Sequence, residues 1–211
     1  DIVLNQWGAE FRASFRGKNL GPFRLAIPGI HNVSNALAAI AIGVELEVPV
    51  DLIRKGLAAF TGVERRFHLR GEIGGIMVVD DYGHHPTEVK ATLAAAKHGW
   101  NRRLVVLFQP HRYTRTRDCM GDFAHAFDDA DVVVMTEIYP AGEPPIPGIS
   151  GASLADIIKS AGHPSVTFIA QKETLPDQVL PFLKSGDLVL TMGAGDIWKV
   201  GTGILARLEG T

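Results

Sequence analysis

The sequence contains one cysteine, Cys119, among its 211 residues. A single thiol excludes an internal disulfide framework and is typical of proteins from a reducing compartment. No apolar run approaches the roughly 20 residues that a membrane-spanning helix needs, and the N-terminus lacks the layout of a signal peptide. We therefore expect a cytoplasmic protein without a membrane partner.

Charge of either sign is not in excess. Lys and Arg together number 21 and Asp and Glu 23, which gives a formal net charge of −2. Without an overall basic field the chain is not expected to bind nucleic acid. Hydrophobic residues make up 46% of the chain, as in ordinary globular proteins. The length allows one large or two small domains.

The pattern of apolar residues changes near residue 63, where we place a boundary between residues 1–63 and 64–211. Short strand-like runs and two helical patterns, at 31–48 and 50–62, precede it. Beyond it, five apolar strands alternate with helices. The strands are predicted at Ile76–Val79, Leu104–Phe108, Val132–Met135, Val166–Ile169 and Leu188–Thr191. The helices are predicted at Pro86–His98, Arg117–Asp128, Leu154–Ala161, Leu175–Leu183 and Ile197–Arg207. This alternation predicts an α/β fold whose parallel sheet is covered on both faces.

Unusual segments follow these predicted strands. They are DDYGHHP, QPHRYTRTR, TEIYPAGEPPIPG, AQKE and MGAGD. Because all strands of an open parallel sheet end at the same edge, and ligands bind there, the segments are expected to meet. The pattern predicts that Asp81, His84, Arg112 and Gly193 lie along one edge.

The segment DDYGHHP has two interpretations. Asp80 and Asp81 are adjacent, so in an extended chain they point to opposite sides, and we expect one to face the cleft. An aspartate there can accept hydrogen bonds from ribose hydroxyls. Capping of a helix that begins at Pro86, by His85 or Thr87, explains the segment equally well. Zinc is disfavoured, because adjacent histidines rarely share a metal and no Cys or acid stands at the usual spacing.

The segment QPHRYTRTR concentrates positive charge. Arg112 and Arg115 are three residues apart, so one helical turn places them on one side, with His111 beside them. A guanidinium binds a carboxylate or phosphate through two hydrogen bonds. No acid follows until Asp118. We favour anion binding over a solvated charged face.

Three further motifs are less specific. Asn32 and Asn35 fall on one helix face, where their amides suit the edge of a purine, although N-capping by Asn32 is an alternative. In MGAGDIW, Trp198 stands where the dinucleotide fingerprint has its third glycine. Tight packing of strand against helix is therefore at least as good an interpretation as phosphate binding. Arg65 and Arg66 are interpreted by default as a charged linker.

Six segments together resemble one family. They are PGIHNVSNALAA, GVERRF, VDDYGHHPTEV, FQPHRYTRTRD, YPAGEPPIPG and GAGDIW. Their order and spacing are similar to those of the Mur ligases of bacterial peptidoglycan synthesis, over residues from about 28 to 205. These ligases have a domain for the UDP-sugar, a central ATPase domain and a Rossmann-like third domain. The resemblance implies that residues 1–63 end the central domain and that 64–211 form the third. The missing N-terminal and central segments of the same enzyme are then its expected partners.

The resemblance also implies a reaction. ATP phosphorylates the carboxylate of UDP-N-acetylmuramate, and the amine of L-alanine attacks the acyl phosphate. The family uses Mg²⁺ with ATP. The sequence has no G-x-x-x-x-G-K-[ST] motif, and the residues that the family uses for magnesium are expected mainly outside this chain. The chain alone is therefore expected to be inactive.

Roles follow by resemblance for nine residues. Asn32 and Asn35 match asparagines near adenine, Arg66 matches an arginine that contacts the nucleotide, and Asp81 matches the aspartate on the ribose. Tyr82 and His84 match a loop that faces the reaction centre. His111, Arg112 and Arg115 match the segment that orients alanine and the muramyl carboxylate. We expect His84, Arg112 and Arg115 to be catalytic, and His84 to assist deprotonation of the amine because histidine titrates near neutral pH.

Two other functions remain open. A related ligase that attaches a recycled peptide to UDP-muramate would share the fold, although HRYTRTR argues against it. A non-catalytic module that binds a nucleotide or an anion would explain the missing phosphate-binding loop.

Overall fold

The computed structural model describes residues 1–210. Its contacts divide the chain into two compact units. The first comprises residues 1–63 and 94–101, and the second comprises residues 64–93 and those from 102 onward. Within residues 1–210, no helix is long and apolar enough to cross a membrane.

The first unit combines a small antiparallel sheet with helices. Its strands are β1 (Ile2–Asn5), β2 (Gly8–Phe15) and β3 (Lys18–Leu25), paired in chain order, and its helices include α1 (Ile30–Glu45) and α2 (Val50–Ala59). Alternate residues of β2 and β3 are buried, as expected for a sheet with one covered face. Phe11 and Phe23 stack with ring centroids 5.7 Å apart, and Val33 and Ile40 of α1 join the same core.

The second unit contains a six-stranded sheet. Its strands are β4 (His68–Ile73), β5 (Ile76–Asp81), β6 (Arg103–Phe108), β7 (Val132–Met135), β8 (Val166–Phe168) and β9 (Asp187–Met192). The helices that follow them in the chain are α3 (Pro86–Gly99), α4 (Tyr113–Asp118), α5 (Met120–Phe123), α6 (Gly151–Ser160), α7 (Leu175–Val179) and α8 (Trp198–Glu209), with 3₁₀ turns at Lys172–Thr174 and Leu180–Phe182. The residues of α3 from 94 onward belong to the first unit. The strand order is β4-β5-β9-β6-β7-β8. All neighbours are parallel except β4 and β5, which confirms the predicted mainly parallel α/β fold.

The central strands are apolar without interruption because both of their faces are covered. Val105 and Leu107 of β6 belong to a core that includes Ile204 of α8. Phe108, which points to the opposite face, has its ring centroid 5.7 Å from that of Phe123 and 5.1 Å from that of Phe127. These contacts cover β6 on both faces of the sheet.

The strand β4 was not predicted. Its sequence, HLRGEI, alternates polar and apolar residues because it is an edge strand that is covered only in part. A two-residue turn joins it to β5, and both turn residues, Gly74 and Gly75, have positive φ of 59° and 79°. A Gly-Gly pair between two strands is a recognised hairpin signal, and it could have revealed the strand.

The predicted helix Arg117–Asp128 was wrong in both bounds. Helix α4 begins earlier, at Tyr113, and α5 ends at Phe123. The chain then continues through turns in which Ala126 N donates to Phe123 O and Ala130 N to Phe127 O. Phe123 and Phe127 are four residues apart, which resembles a helical period, but both are held by packing on Phe108. The other predicted elements agree with the structure to within a few residues.

Candidate functional site

The carboxyl ends of β5, β9 and β6 meet at one edge of the sheet. Gly193 N donates to Asp81 O over 3.1 Å, and Gln109 N donates to Met192 O over 3.0 Å. A Cβ on Gly193 would lie 2.6 Å from Gln109 O, and its φ is 144°, so this position requires glycine. On the neighbouring strand end, Arg112 N donates to Tyr139 O over 2.9 Å. The predicted edge is confirmed as a geometric feature.

Both aspartates at the end of β5 are buried. Asp80 accepts hydrogen bonds from Arg65 Nε at 3.0 Å and Thr191 Oγ1 at 2.8 Å. Asp81 is 4% exposed and accepts from Phe67 N at 2.8 Å and Gly83 N at 2.7 Å. Arg65 and Thr191 thus occupy Asp80, and backbone N–H groups occupy Asp81; that one of the two carboxylates faces the cleft stays a prediction.

Burial raises the pKa of Asp81 above the usual value for an aspartate, although the N–H groups of Gly83 and Phe67 oppose this. Each of its oxygens still has a second lone pair. In the structure, this carboxylate organises the loop after β5, and its contact with a ribose stays a prediction.

The loop after β5 is tied to the start of α3 by Glu88. Its Oε2 accepts from His84 N at 3.0 Å and from His85 N at 3.1 Å, as an acidic residue at the third helical position does in a capping box. The two N–H groups hold the pKa of Glu88 below its usual value, although burial acts to raise it. His85 itself caps the helix, because its Nδ1 accepts from Thr87 N at 3.3 Å. The capping interpretation of this segment is thus confirmed.

Four rings form a continuous column along the edge. Tyr82 and His84 have centroids 5.4 Å apart, His84 and His111 5.5 Å, and His111 and Tyr139 5.7 Å with nearly parallel planes. Two arginines lie near the first ring, with Arg65 4.8 Å and Arg66 5.7 Å from its centroid. The column joins the segments after β5, β6 and β7, and guanidinium groups flank its Tyr82 end.

The arginine segment is held from two sides. Arg115 Nη1 lies 3.1 Å from His111 Nδ1 and donates to His111 O over 3.2 Å. Arg112 occupies the N-cap position of α4 with a φ of 72°, a conformation that costs energy for a residue with a side chain. Glu143 Oε2 accepts from Thr114 N at 3.0 Å, and its Oε1 lies 4.0 Å from Arg112 Nη1. The sequence placed no acid near these arginines before Asp118, but the fold supplies one from the segment after β7.

The electrostatics of this cluster favour neutral histidine and ionised glutamate. Burial, followed by the charges of His84, Arg115 and Arg112, lowers the pKa of His111 to about 4. The N–H and hydroxyl groups of Thr114 lower the pKa of Glu143. At neutral pH the cluster therefore presents two guanidinium groups, an uncharged His111 and one carboxylate, an arrangement suited to a small anion.

A shallow cleft of about 280 Å³ opens beside the column. Its walls include Gln109, Glu137, Tyr139 and Lys172. Gly195 approaches two of these residues closely, since a Cβ there would lie 2.4 Å from Gln109 Oε1 and 2.8 Å from Tyr139 Cγ. The two glycines of MGAGD thus allow close backbone approach, which fits the packing interpretation of this motif.

The remaining predicted residues are the two asparagines of α1 and Arg66. Asn32 and Asn35 are on α1 in the first unit, where Asn32 Nδ2 donates to Pro28 O at 2.6 Å and Asn35 Nδ2 donates to Asn32 Oδ1 at 3.3 Å. Arg66 is half-exposed, with Nη1 3.7 Å from Glu88 Oε1. Among residues 1–210, no group of three or more His, Cys, Asp or Glu side chains is arranged to hold a metal ion.

A family profile described as "Mur ligase, glutamate ligase domain" matches residues 65–195. The chain belongs to the Mur ligase family. The matched range contains both sides of the edge cluster, from Arg65 to Gly195.

Named relatives place this Mur ligase chain more closely. It is 54% identical over 210 residues to UDP-N-acetylmuramate–L-alanine ligase of Geotalea uraniireducens, covering 100% of this chain and 46% of that protein. The same enzyme of Myxococcus xanthus is 51% identical over 211 residues, with 100% and 45% covered. The chain thus spans less than half the length of the curated relatives it matches.

Solved structures of Mur ligases agree. The UDP-N-acetylmuramate–alanine ligase of Thermotoga maritima matches with a TM-score of 0.83 at 31% identity, covering 100% of this chain and 45% of that one. A murein peptide ligase of Psychrobacter arcticus matches with a TM-score of 0.70 at 26% identity, covering 100% and 44%. The TM-score and the sequence identity are both higher for the alanine ligase than for the murein peptide ligase.

Three residues of the cluster in this Mur ligase were not singled out from the sequence. Glu88 stands three positions after His85, which is the spacing of a capping box and could have been recognised. Tyr139 and Glu143 belong to the segment after β7, which was predicted to reach the edge. Nothing in the sequence, however, indicates that their partners would be His111 and Thr114.

Proposed function

We propose that this chain is the C-terminal part of an ATP-dependent ligase that joins L-alanine to the carboxylate of UDP-N-acetylmuramate. The observation that carries the proposal is the cluster of His84, His111, Arg112 and Arg115 at the edge of the sheet. The similarity along the whole chain to relatives that bear this enzyme's name supports it.

The arginines supply positive charge where the reaction needs it. The muramyl and alanine carboxylates are anionic, and negative charge develops further in the tetrahedral intermediate. Arg112 has a half-exposed side chain, so it binds a carboxylate without breaking a buried contact. Arg115 is engaged with His111 and orients that ring. Fixed donors of this kind stabilise developing charge without having to reorganise.

The nucleotide roles remain part of the proposal. Arg66 has its charge exposed beside Tyr82 and is suited to a phosphate or a ribose. Asn32 and Asn35 are assigned to adenine, and Asp81 to the ribose. Residues 1–210 offer no cluster of metal ligands, and the residues that hold Mg²⁺ with ATP would lie mainly outside this chain.

The domain assignment is also proposed. Residues 1–63 would end a central ATP-binding domain and 64–211 would form the third domain. Large apolar side chains that are exposed support this, because all except Leu69 and Tyr139 lie in residues 1–63. Such a surface is typical of a segment that packs against further protein. The expected location is the cytoplasm. A nucleotide substrate and a reduced Cys119 thiol are both consistent with that compartment.

The test compares acceptors in the full-length protein. With ATP and UDP-N-acetylmuramate, L-alanine should support ADP release, and a peptide that begins with L-alanine should not. Preference for the peptide would establish the related peptide ligase instead. ADP release with neither acceptor, together with retained nucleotide binding, would establish a non-catalytic binding module.

A further inference from the structure

The two histidines at the centre of the ring column each have a partner on Nδ1. His84 Nδ1 lies 2.9 Å from Tyr82 O, and His111 Nδ1 lies 3.1 Å from Arg115 Nη1. Both residues are only partly buried, and neither Nε2 atom is among the buried polar atoms without a partner in residues 1–210, so a ligand can approach each Nε2. One partner can only accept a hydrogen bond and the other can only donate one. This difference determines which nitrogen of each ring carries the proton.

The partner of His84 can only accept a hydrogen bond. A carbonyl oxygen has no proton to donate, so His84 Nδ1 must carry the hydrogen. Glu88 Oε2, which is also an acceptor, lies 3.6 Å from the same nitrogen and favours the same arrangement. In a neutral imidazole only one nitrogen is protonated, so His84 Nε2 presents a lone pair.

The partner of His111 can only donate. A guanidinium has five N–H donors and no acceptor, so His111 Nδ1 must be unprotonated and Nε2 must carry the hydrogen. Burial and the charges of His84, Arg115 and Arg112 lower the pKa of this ring, whereas the charge of Glu143 acts to raise it. With a pKa of about 4, His111 stays neutral at physiological pH and remains a donor through Nε2.

We propose that His84 and His111 hold opposite tautomers and divide the catalytic work between them. His84 Nε2 takes a proton from the substrate amine, and His111 Nε2–H donates a hydrogen bond to the oxygen that becomes negative. Glu88 is a positioning residue for His84, and Arg115 is one for His111. These roles rest on the proposed function, whereas the tautomers do not.

The substrates account for every proton and electron pair in this step. The amine arrives as an ammonium group and gives one proton to His84 Nε2. Its lone pair forms the C–N bond, and the carbonyl oxygen takes the displaced electron pair beside His111 Nε2–H. When the carbonyl forms again, the C–O bond to phosphate breaks. Inorganic phosphate leaves with that electron pair and takes the second amine proton, and His84 releases its proton to water.

The first experiment measures the tautomers in this chain. Long-range ¹H–¹⁵N correlation spectra of ¹⁵N-histidine-labelled protein at neutral pH distinguish protonated Nδ1 from protonated Nε2. We expect the Nδ1–H form for His84 and the Nε2–H form for His111, assigned with His84→Gln and His111→Gln. In Arg115→Met, His111 should be a mixture of the Nδ1–H and Nε2–H tautomers. In Arg115→Lys, it should keep the Nε2–H form. The opposite form at either ring overturns the inference.

The second experiment measures pH profiles in the full-length protein. His84→Gln should lower kcat/KM for alanine about 10²- to 10⁴-fold at pH 7, the usual contribution of a general base. The loss should shrink about tenfold for each unit of rising pH, because free amine then replaces the base. His111→Leu should lower kcat/KM about 10²- to 10³-fold at every pH. His111→Gln, which keeps an N–H donor, should have a higher kcat/KM than His111→Leu.

These outcomes separate two failures. If the wild-type protein forms no alanine amide, the proposed function and the catalytic roles fall together, and the spectra still decide the tautomers. If the enzyme is active but the His84→Gln defect is the same at every pH, His84 is not the base. If His111→Leu and His111→Gln are equally impaired, His111 is not the donor.

Discussion

At the scale of single residues, the arginines at this edge differ in the partners that their side chains contact. Arg112, Arg115 and Arg117 are close in the chain, but each has a different environment. Arg115 is tied to His111, and Arg117 pairs with its neighbour Asp118 at 2.7 Å. Arg112 lies 4.0 Å from Glu143, beyond hydrogen-bond distance. It is therefore the arginine best placed to exchange its partner for a substrate carboxylate.

Arg112→Ala in the full-length protein should lower kcat/KM for alanine or for the UDP-sugar about ten- to a hundredfold. The reason is the loss of a charge-assisted hydrogen bond, worth about 1.5–3 kcal/mol. Arg112→Lys should restore only part of the rate, because an ammonium group lacks the planar fork. Arg117→Ala is the matched control, and steady-state kinetics with both substrates below saturation is the measurement. Equal effects of Arg112→Ala and Arg117→Ala would remove the special role of Arg112.

The lowered pKa of His111 also predicts how stability depends on pH. Its pKa falls from 6.5 in the unfolded chain to about 4 in the folded protein, so the unfolded chain binds the extra proton between these values. Stability should therefore decrease as pH falls from about 6.5 towards 4. His111→Gln should flatten this slope in urea titrations of the chain. An unchanged slope would mean that other groups account for the pH dependence.

At the scale of elements, the short helix α4 depends on a partner outside it. Its first turn has no side-chain cap of its own. Glu143 instead accepts from Thr114 N at 3.0 Å and Thr114 Oγ1 at 2.7 Å. A carboxylate near a helix N-terminus is stabilising, and here it also fixes the direction of the helix that carries Arg115.

Glu143→Ala should impair catalysis through α4 rather than through contact with substrate. We expect kcat/KM to decrease in the full-length protein, and protection of Thr114 N–H from hydrogen exchange to decrease in this chain. Glu143→Gln keeps a carbonyl acceptor for Thr114 and should retain most of the protection. Glu173→Ala, on an exposed side chain paired with Lys172, is the control. If Glu143→Ala leaves the exchange of Thr114 unchanged, the anchoring role is wrong.

The sequence predicts these elements unequally, for physical reasons. β5, β6, β7 and β9 are continuous apolar runs, so their existence and their common edge could be predicted. β4 is an edge strand whose composition resembles a linker, and it was missed. The interactions of Glu143 with Thr114 and of Tyr139 with His111 connect different segments. Their partners depend on where the strands end, and local periodicity carries no information on that.

At the scale of the whole molecule, this chain should not complete the proposed reaction alone. It contains no G-x-x-x-x-G-K-[ST] segment, and such a segment cradles the phosphates of ATP. We expect no ADP release that depends on both UDP-N-acetylmuramate and L-alanine from the purified 211-residue chain. A coupled ADP assay with the full-length protein as positive control measures this. ADP production by the chain alone would show that its own residues suffice for phosphoryl transfer.

The position of β9 constrains the order of events on the ribosome. β5 and β6 both pair with β9 and not with each other, yet β9 is the last strand of the sheet in the chain. Synthesis adds roughly 5–20 residues per second, so β5 and β6 emerge seconds before the strand that joins them. During that interval the nascent chain exposes two unpaired apolar edges, and the ring column has no fixed frame. Nascent chains stalled before Asp187 should therefore recruit chaperones, while release of the complete chain should end that association.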